Sequence, residues 1–168
     1  LDIDARGAVD IARRRIRLDR AALVADAATV AANGSVDLTA QTLDIAFDVE
    51  AGNLASFGPL AGADLGGALS ASGRATGPFV IPRVNAELTG TALRYEGYTI
   101  GRLDGSVEMD TAQNGVMPFT AALTAAGIGT GNPALDRALG GEVRVAATGG
   151  FDQTAKRLIL SDASVGSA

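Results

Sequence analysis

The chain has 168 residues, 47% of them hydrophobic and 20% charged, with a net charge of −5 and only one Lys against thirteen Arg. It contains no cysteine and no histidine, which excludes disulfides, thiolate nucleophiles, Ser-His-Asp and Cys-His machinery, and an ordinary zinc site. The acidic balance is unsuited to nucleic acid, and no stretch approaches the roughly 20 apolar residues of a membrane-spanning helix. Leu, Ile, Val and Phe together make 42 of the 168 residues, enough to order the chain. Position 1 is not Met and no signal pattern opens the chain. Residues 1–168 therefore read as a single internal segment of a longer protein.

Strand signals repeat along the whole length. The first clear stretch is a meander from Ala21 to Asp48, in which Val36, Leu38 and Ala40 alternate with Ser35, Asp37 and Thr39. Leu43, Ile45, Phe47 and Val49 then alternate with Asp44, Ala46, Asp48 and Glu50. This period of two gives one apolar and one largely acidic face, and Asn33-Gly34 predicts a hairpin turn before it. The same alternation places Leu69, then Val84 and Leu88, then Val107 and Met109, on apolar faces. Phe119 and Leu123, Val143 and Val145, and finally Leu158 and Leu160 continue the series. Turns are expected at Thr76-Gly77-Pro78, Glu96-Gly97, Gln113-Asn114-Gly115 and Gly149-Gly150, a spacing of roughly 8–12 residues that marks an all-β chain.

Two segments break the rhythm. Asn53–Phe57 opens on an N-cap residue and runs into Gly58-Pro59; Asn132–Gly140 has Asn at the cap, Pro at the first helical position and Gly at the stop. Both predict short helices with Leu or Phe on one face, suited to plugging the end of a sheet. A short helix, a Gly-rich return and a meander thus occur twice, without a strict repeat length.

Few residues carry chemistry. Asp44, Asp48 and Glu50 occupy alternate strand positions, the pattern of a solvated face and not of a carboxylate pair tuned by burial. Gly127-Ile128-Gly129-Thr130-Gly131 lacks the spacing and the Lys of a phosphate loop and reads as a flexible connection. Arg13, Arg15 and Arg17 share a face if their segment is a strand. Contact with lipid headgroups or an acidic partner is weighed there against a charged edge that discourages aggregation, and Asp10 and Asp19 favour the edge. No cofactor or metal site is expected. The apolar faces remain: they are aliphatic, with seven aromatic residues and no Trp in the whole chain. On periodicity alone they are either the core of a closed sandwich or a wall for acyl chains, and a one-residue slip would exchange the two faces.

The order of features from Asn53-Leu54-Ala55-Ser56-Phe57-Gly58-Pro59 through Ala71-Ser72-Gly73-Arg74-Ala75-Thr76-Gly77-Pro78-Phe79 and Pro82-Arg83-Val84-Asn85-Ala86-Glu87-Leu88 is informative. Leu93-Arg94-Tyr95-Glu96-Gly97-Tyr98-Thr99-Ile100-Gly101-Arg102-Leu103 and Gly131-Asn132-Pro133-Ala134-Leu135-Asp136 follow. This progression, over about residues 35–165, resembles the TamB family within the wider AsmA-like group. The motifs are turn and packing residues, none of them catalytic. The resemblance implies an elongated, curled antiparallel β-sheet forming an open groove, with two short helical segments and no enzyme activity. It further implies a periplasmic location in a Gram-negative bacterium, within a protein anchored in the inner membrane by a segment outside this chain. The implied work is phospholipid transport toward the outer membrane, and outer-membrane protein assembly with a barrel partner of the TamA type. The groove would be lined by Val36, Leu38, Leu43, Ile45, Phe47, Val49, Leu69, Val84, Leu88, Val107, Met109, Phe119, Leu123, Val143, Val145, Leu158 and Leu160. The competing expectations are a β-rich scaffold or surface passenger with a closed core that binds protein, and a hydrolase with paired carboxylates.

Overall fold

The computed structural model describes residues 2–25, 27–111, 115–139, 141–152 and 157–167. Ten strands follow one another as a single antiparallel meander in which spatial order equals chain order. They are β1 (Asp2–Asp10), β2 (Arg15–Ala25), β3 (Ala28–Asp37), β4 (Thr42–Ala51) and β5 (Leu65–Pro78), then β6 (Arg83–Tyr95), β7 (Tyr98–Met109), β8 (Val116–Gly129), β9 (Glu142–Asp152) and β10 (Arg157–Ser167). The all-β antiparallel class is therefore the observed one. The sheet is open, with β1 and β10 as its two edges, but the expected curl is absent. Curvature is introduced by bulges, and here the register shifts lie in the β1–β2, β2–β3 and β9–β10 pairs and at the start of β5–β6. The ladders β3–β4, β4–β5, β6–β7, β7–β8 and β8–β9 run without a shift.

Both helical segments form at the expected places. Asn53 accepts the Ala55 N–H and caps a 3₁₀ turn, Leu54–Phe57, which continues into α1 (Gly58–Ala61) with Pro59 in its first turn and left-handed Gly62 at its end. Asn132 accepts the Ala134 N–H at 2.9 Å and starts α2 (Pro133–Leu139); the expected stop at Gly140 lies outside the described residues. Both connections leave even-numbered strands, β4 and β8, so they sit at the same end of the sheet. They do not plug it. Leu54 and Phe57 are half-buried where the 3₁₀ turn meets β5, whereas Leu60 and Leu135 are exposed.

Three expected turns are strand interior or strand end instead. Asn33-Gly34 lies within β3, and the reversal comes at Leu38–Gln41. Thr76-Gly77-Pro78 completes β5, and the chain turns one residue later. Gly149-Gly150 lies within β9. Gly34, Gly149 and Gly150 serve packing: a Cβ at Gly149 would meet the Ile159 carbonyl oxygen at 2.1 Å and the Phe119 ring at 2.9 Å. Gly127–Gly129 is likewise the end of β8 and not a loose connection, and Thr130 is tied to α2 by its N–H and hydroxyl, both within 2.7 Å of the Asp136 carboxylate. Glu96-Gly97 is a two-residue turn as expected; Gln113 and Asn114 of another expected turn lie outside the described residues.

A glycine opposite a large side chain recurs on one face. Phe47 lies against Gly73, Leu123 against Gly105 and Phe119 against Gly149, each a directly paired cross-strand couple. At Gly73 a Cβ would also come within 2.2 Å of the Asn85 carbonyl oxygen. Gly73→Val is therefore expected to destabilise the sheet by about 1–3 kcal/mol through overpacking, read as a lower denaturant midpoint at unchanged slope. Gly52→Ala, where a Cβ meets nothing, is the matched control and should leave the midpoint in place.

Candidate functional site: the apolar sheet face

Residues directly opposite in an antiparallel ladder share a face, so the register decides which side chains meet. One row crosses all ten strands as Ile3, Leu23, Val30, Val49, Ala71, Leu88, Gly105, Leu123, Val145 and Val165. The next runs Ala5, Ala21, Ala32, Phe47, Gly73, Ala86, Val107, Ala121, Ala147 and Ala163. A third joins Ile45, Ala75, Val84, Met109, Phe119, Gly149 and Leu160. No polar side chain interrupts these rows. At about 4.8 Å per strand the track is about 43 Å long.

The register brings together sixteen of the seventeen residues named from the sequence. Val36 pairs with Leu43, Leu69 with Ala51, Val143 with Ala125, and Leu158 with Phe151, all on this same face. Leu38 is the exception. It lies beyond the end of β3, in the turn, 47% exposed, with its N–H donating to the Arg14 carbonyl. The face also holds residues outside that set: Ile3, Val9, Ile16, Leu18 and Leu23 on β1 and β2, Val30 on β3, Met117 with Phe151, and Leu103 on β7, whose alternation with Val107 and Met109 is plain in the sequence. The signal was present, since Ile3, Ala5, Gly7 and Val9 alternate with Asp2, Asp4, Arg6 and Ala8.

No second layer covers this face. Strands pack on their sequence neighbours, and among the described residues Ala22, Met117 and Val143 are the only buried apolar side chains. None of the larger ones is fully buried.

The opposite face is polar. Asp44, Asp48 and Glu50 lie on it, as the alternation predicts, together with Arg74, Asn85, Glu87, Ser106 and Glu108. Of the basic stretch, Arg15 and Arg17 share the polar face of β2, pairing with Asp37 at 2.9 Å and Asp19 at 2.8 Å, whereas Arg13 lies in the turn before β2 and pairs with Asp10. The Arg74 guanidinium holds Asp44 by two bonds of 2.6 and 2.7 Å. These contacts draw carboxyls below their usual range. Asp44 is lowered by Arg74, Asp104 by Arg102, Asp37 first by the Ala40 N–H and then by Arg15, and Asp110 first by the Thr111 N–H and then by Arg83. Each is driven toward its charged form, the opposite of what a general acid needs. Among the described residues no three His, Cys, Asp or Glu side chains converge as metal ligands.

The sign of the pH dependence follows. A carboxyl lowered in the folded state contributes stability that is present above its unfolded pKa of about 4 and is lost as pH falls through its folded value. The thermal midpoint is therefore expected to hold from neutral pH to about 4 and to fall below it, less steeply in Asp44→Asn. A midpoint that rises on acidification would show that these pairs do not form in solution.

No helix among the described residues is long and apolar enough to cross a membrane. No family model, no curated protein and no solved structure matches the chain.

Proposed function

We propose that this chain is a segment of a hydrophobic conduit that carries phospholipid by its acyl chains, without catalysis of its own. The observation that carries the reading is the pair of uninterrupted apolar rows running edge to edge across ten strands with no layer over them. Each methylene moved from water onto such a face contributes about 0.8 kcal/mol. Because every strand adds an apolar residue to the rows and no polar side chain breaks them, a bound chain meets no polar barrier along the track. The polar face keeps the sheet in water. A monomer rarely exposes a contiguous apolar patch beyond a few hundred Å², so a face of this extent calls for an occupant.

On the resemblance of its sequence to the TamB family, this work would lie in the periplasm of a Gram-negative bacterium. There the segment would belong to an inner-membrane-anchored protein that acts with an outer-membrane barrel of the TamA type. A closed-core scaffold is less well supported, because it needs a second apolar layer and the sheet has one layer. The test is lipid extraction and mass spectrometry on the chain purified from bacteria without detergent. Phospholipid at one molecule or more per chain is the expected result; folded protein free of lipid would overturn the reading.

A further inference from the structure

The surface of this chain is too large for its mass. A compact monomer of 16.8 kDa exposes about 7,700 Å², whereas this one exposes 10704 Å². The excess, 10704 less about 7,700, is about 3,000 Å². A stable interface needs about 800 Å² from each partner, and the excess is several times that.

The relief of the face also suits its own copy. β4 presents a ridge of Leu43, Ile45, Phe47 and Val49, and β5 beside it presents Ala71, Gly73 and Ala75. Phe47 fills that furrow at Gly73 and leaves it open at the two alanines. A two-fold axis along the strands between β4 and β5 sets the ridge of each copy over the furrow of the other, with the sheets about 10 Å apart. The polar faces, with their excess of carboxylates, then point away from each other, and two chains of net charge −5 avoid bringing like charges together.

We infer that, without lipid, a second copy of this chain covers the apolar face to give a two-layer dimer, and that acyl chains and the second copy compete for the same surface. This goes beyond the conduit reading and does not depend on it.

The chain, stripped of lipid and held at about 50 µM in detergent-free buffer, well above the micromolar end of standard interfaces, should sediment at twice 16.8 kDa. Because it has no cysteine, single spin labels report the geometry. Ala71→Cys on the furrow should show dipolar broadening between copies, and Ser72→Cys on the opposite face should not. Monomeric short-chain phosphatidylcholine should return the mass to that of one chain. A lipid-free monomer overturns the inference. So does any dimer or larger assembly without broadening at Ala71→Cys, which would mean pairing through the β1 and β10 edges, and so does a dimer that binds phosphatidylcholine and stays a dimer. The conduit reading is decided separately: a lipid-free monomer that still takes up lipid sinks the dimer alone, and a dimer to which no lipid binds sinks the conduit alone.

Discussion

Ile45→Asp is expected to abolish lipid capture while the sheet stays folded. Ile45 sits in β4 between Gly34 and Ala75, half-buried, in the row that continues through Val84, Met109 and Phe119. In a closed sandwich that position would be core, and an unpaired carboxylate there would unfold the domain. On an uncovered face the carboxylate stays in water, and the structural cost is the loss of strand propensity and neighbour packing, about 1 kcal/mol. Against an acyl chain the same charge costs about 2.5–3.5 kcal/mol, which converts to about a hundredfold weaker capture. Ala46→Asp, one residue along and on the polar face, is the control that should retain lipid. The two variants are compared by lipid extracted per folded chain and by circular-dichroism melts. If Ile45→Asp unfolds even as a monomer, Ile45 is core within a single chain, and both the open track and its function are lost together.

The residues that make this face were legible because alternation is a local signal. Leu43 to Val49 and Val84 to Leu88 declare their period without reference to any neighbour. What local reading could not supply was the pairing. Asn33-Gly34 and Gly149-Gly150 look like turns by composition, yet both sit inside strands. The reason is non-local: Gly149 has no side chain because Phe119, thirty residues earlier, lies over it. Leu38 continued the alternation of Val36 but fell past the strand end, because the reversal needed Leu38–Gln41 and Asp37 accepts the Thr39 and Ala40 N–H groups there. The alternation of β1 is regular but weak, since Ala5 and Gly7 dilute its apolar face. The openness of the sheet was legible through the resemblance alone and not in the strand pattern. A strand pattern is the same whether its apolar side meets a second sheet or nothing, and only the assembled ladder, a single sheet with β1 and β10 left as edges, distinguishes the two.

Val107→Pro is expected to melt the middle of the sheet and leave its margins protected. Val107 lies two residues before the end of β7, inside both of its ladders, opposite Ala86 of β6 and Ala121 of β8. Proline there removes a ladder donor, and its ring does not fit between two paired neighbours; within sheets it is confined to edges, strand starts and bulges. The one proline already inside β8 obeys this rule, since Pro118 lies one residue outside the β7–β8 ladder, which ends at Met109 opposite Phe119. In a sandwich or barrel such a lesion would take down the whole domain, because every strand rests on a shared core. Here spatial order equals chain order and each strand rests on its two neighbours, so stability is close to a sum of nearest-neighbour terms, as in a solenoid. Hydrogen exchange should show β6–β8 losing protection while β2–β4 keep theirs; uniform loss across all ten strands would mean a shared core that the meander does not contain. The same one-dimensional logic bears on transport. A sheet held together strand by strand can be extended without limit and without rearranging what is already built, but its apolar rows are only as continuous as their weakest strand. Val107→Pro should therefore stop lipid from passing between the two halves even where each half, assayed by exchange, remains folded.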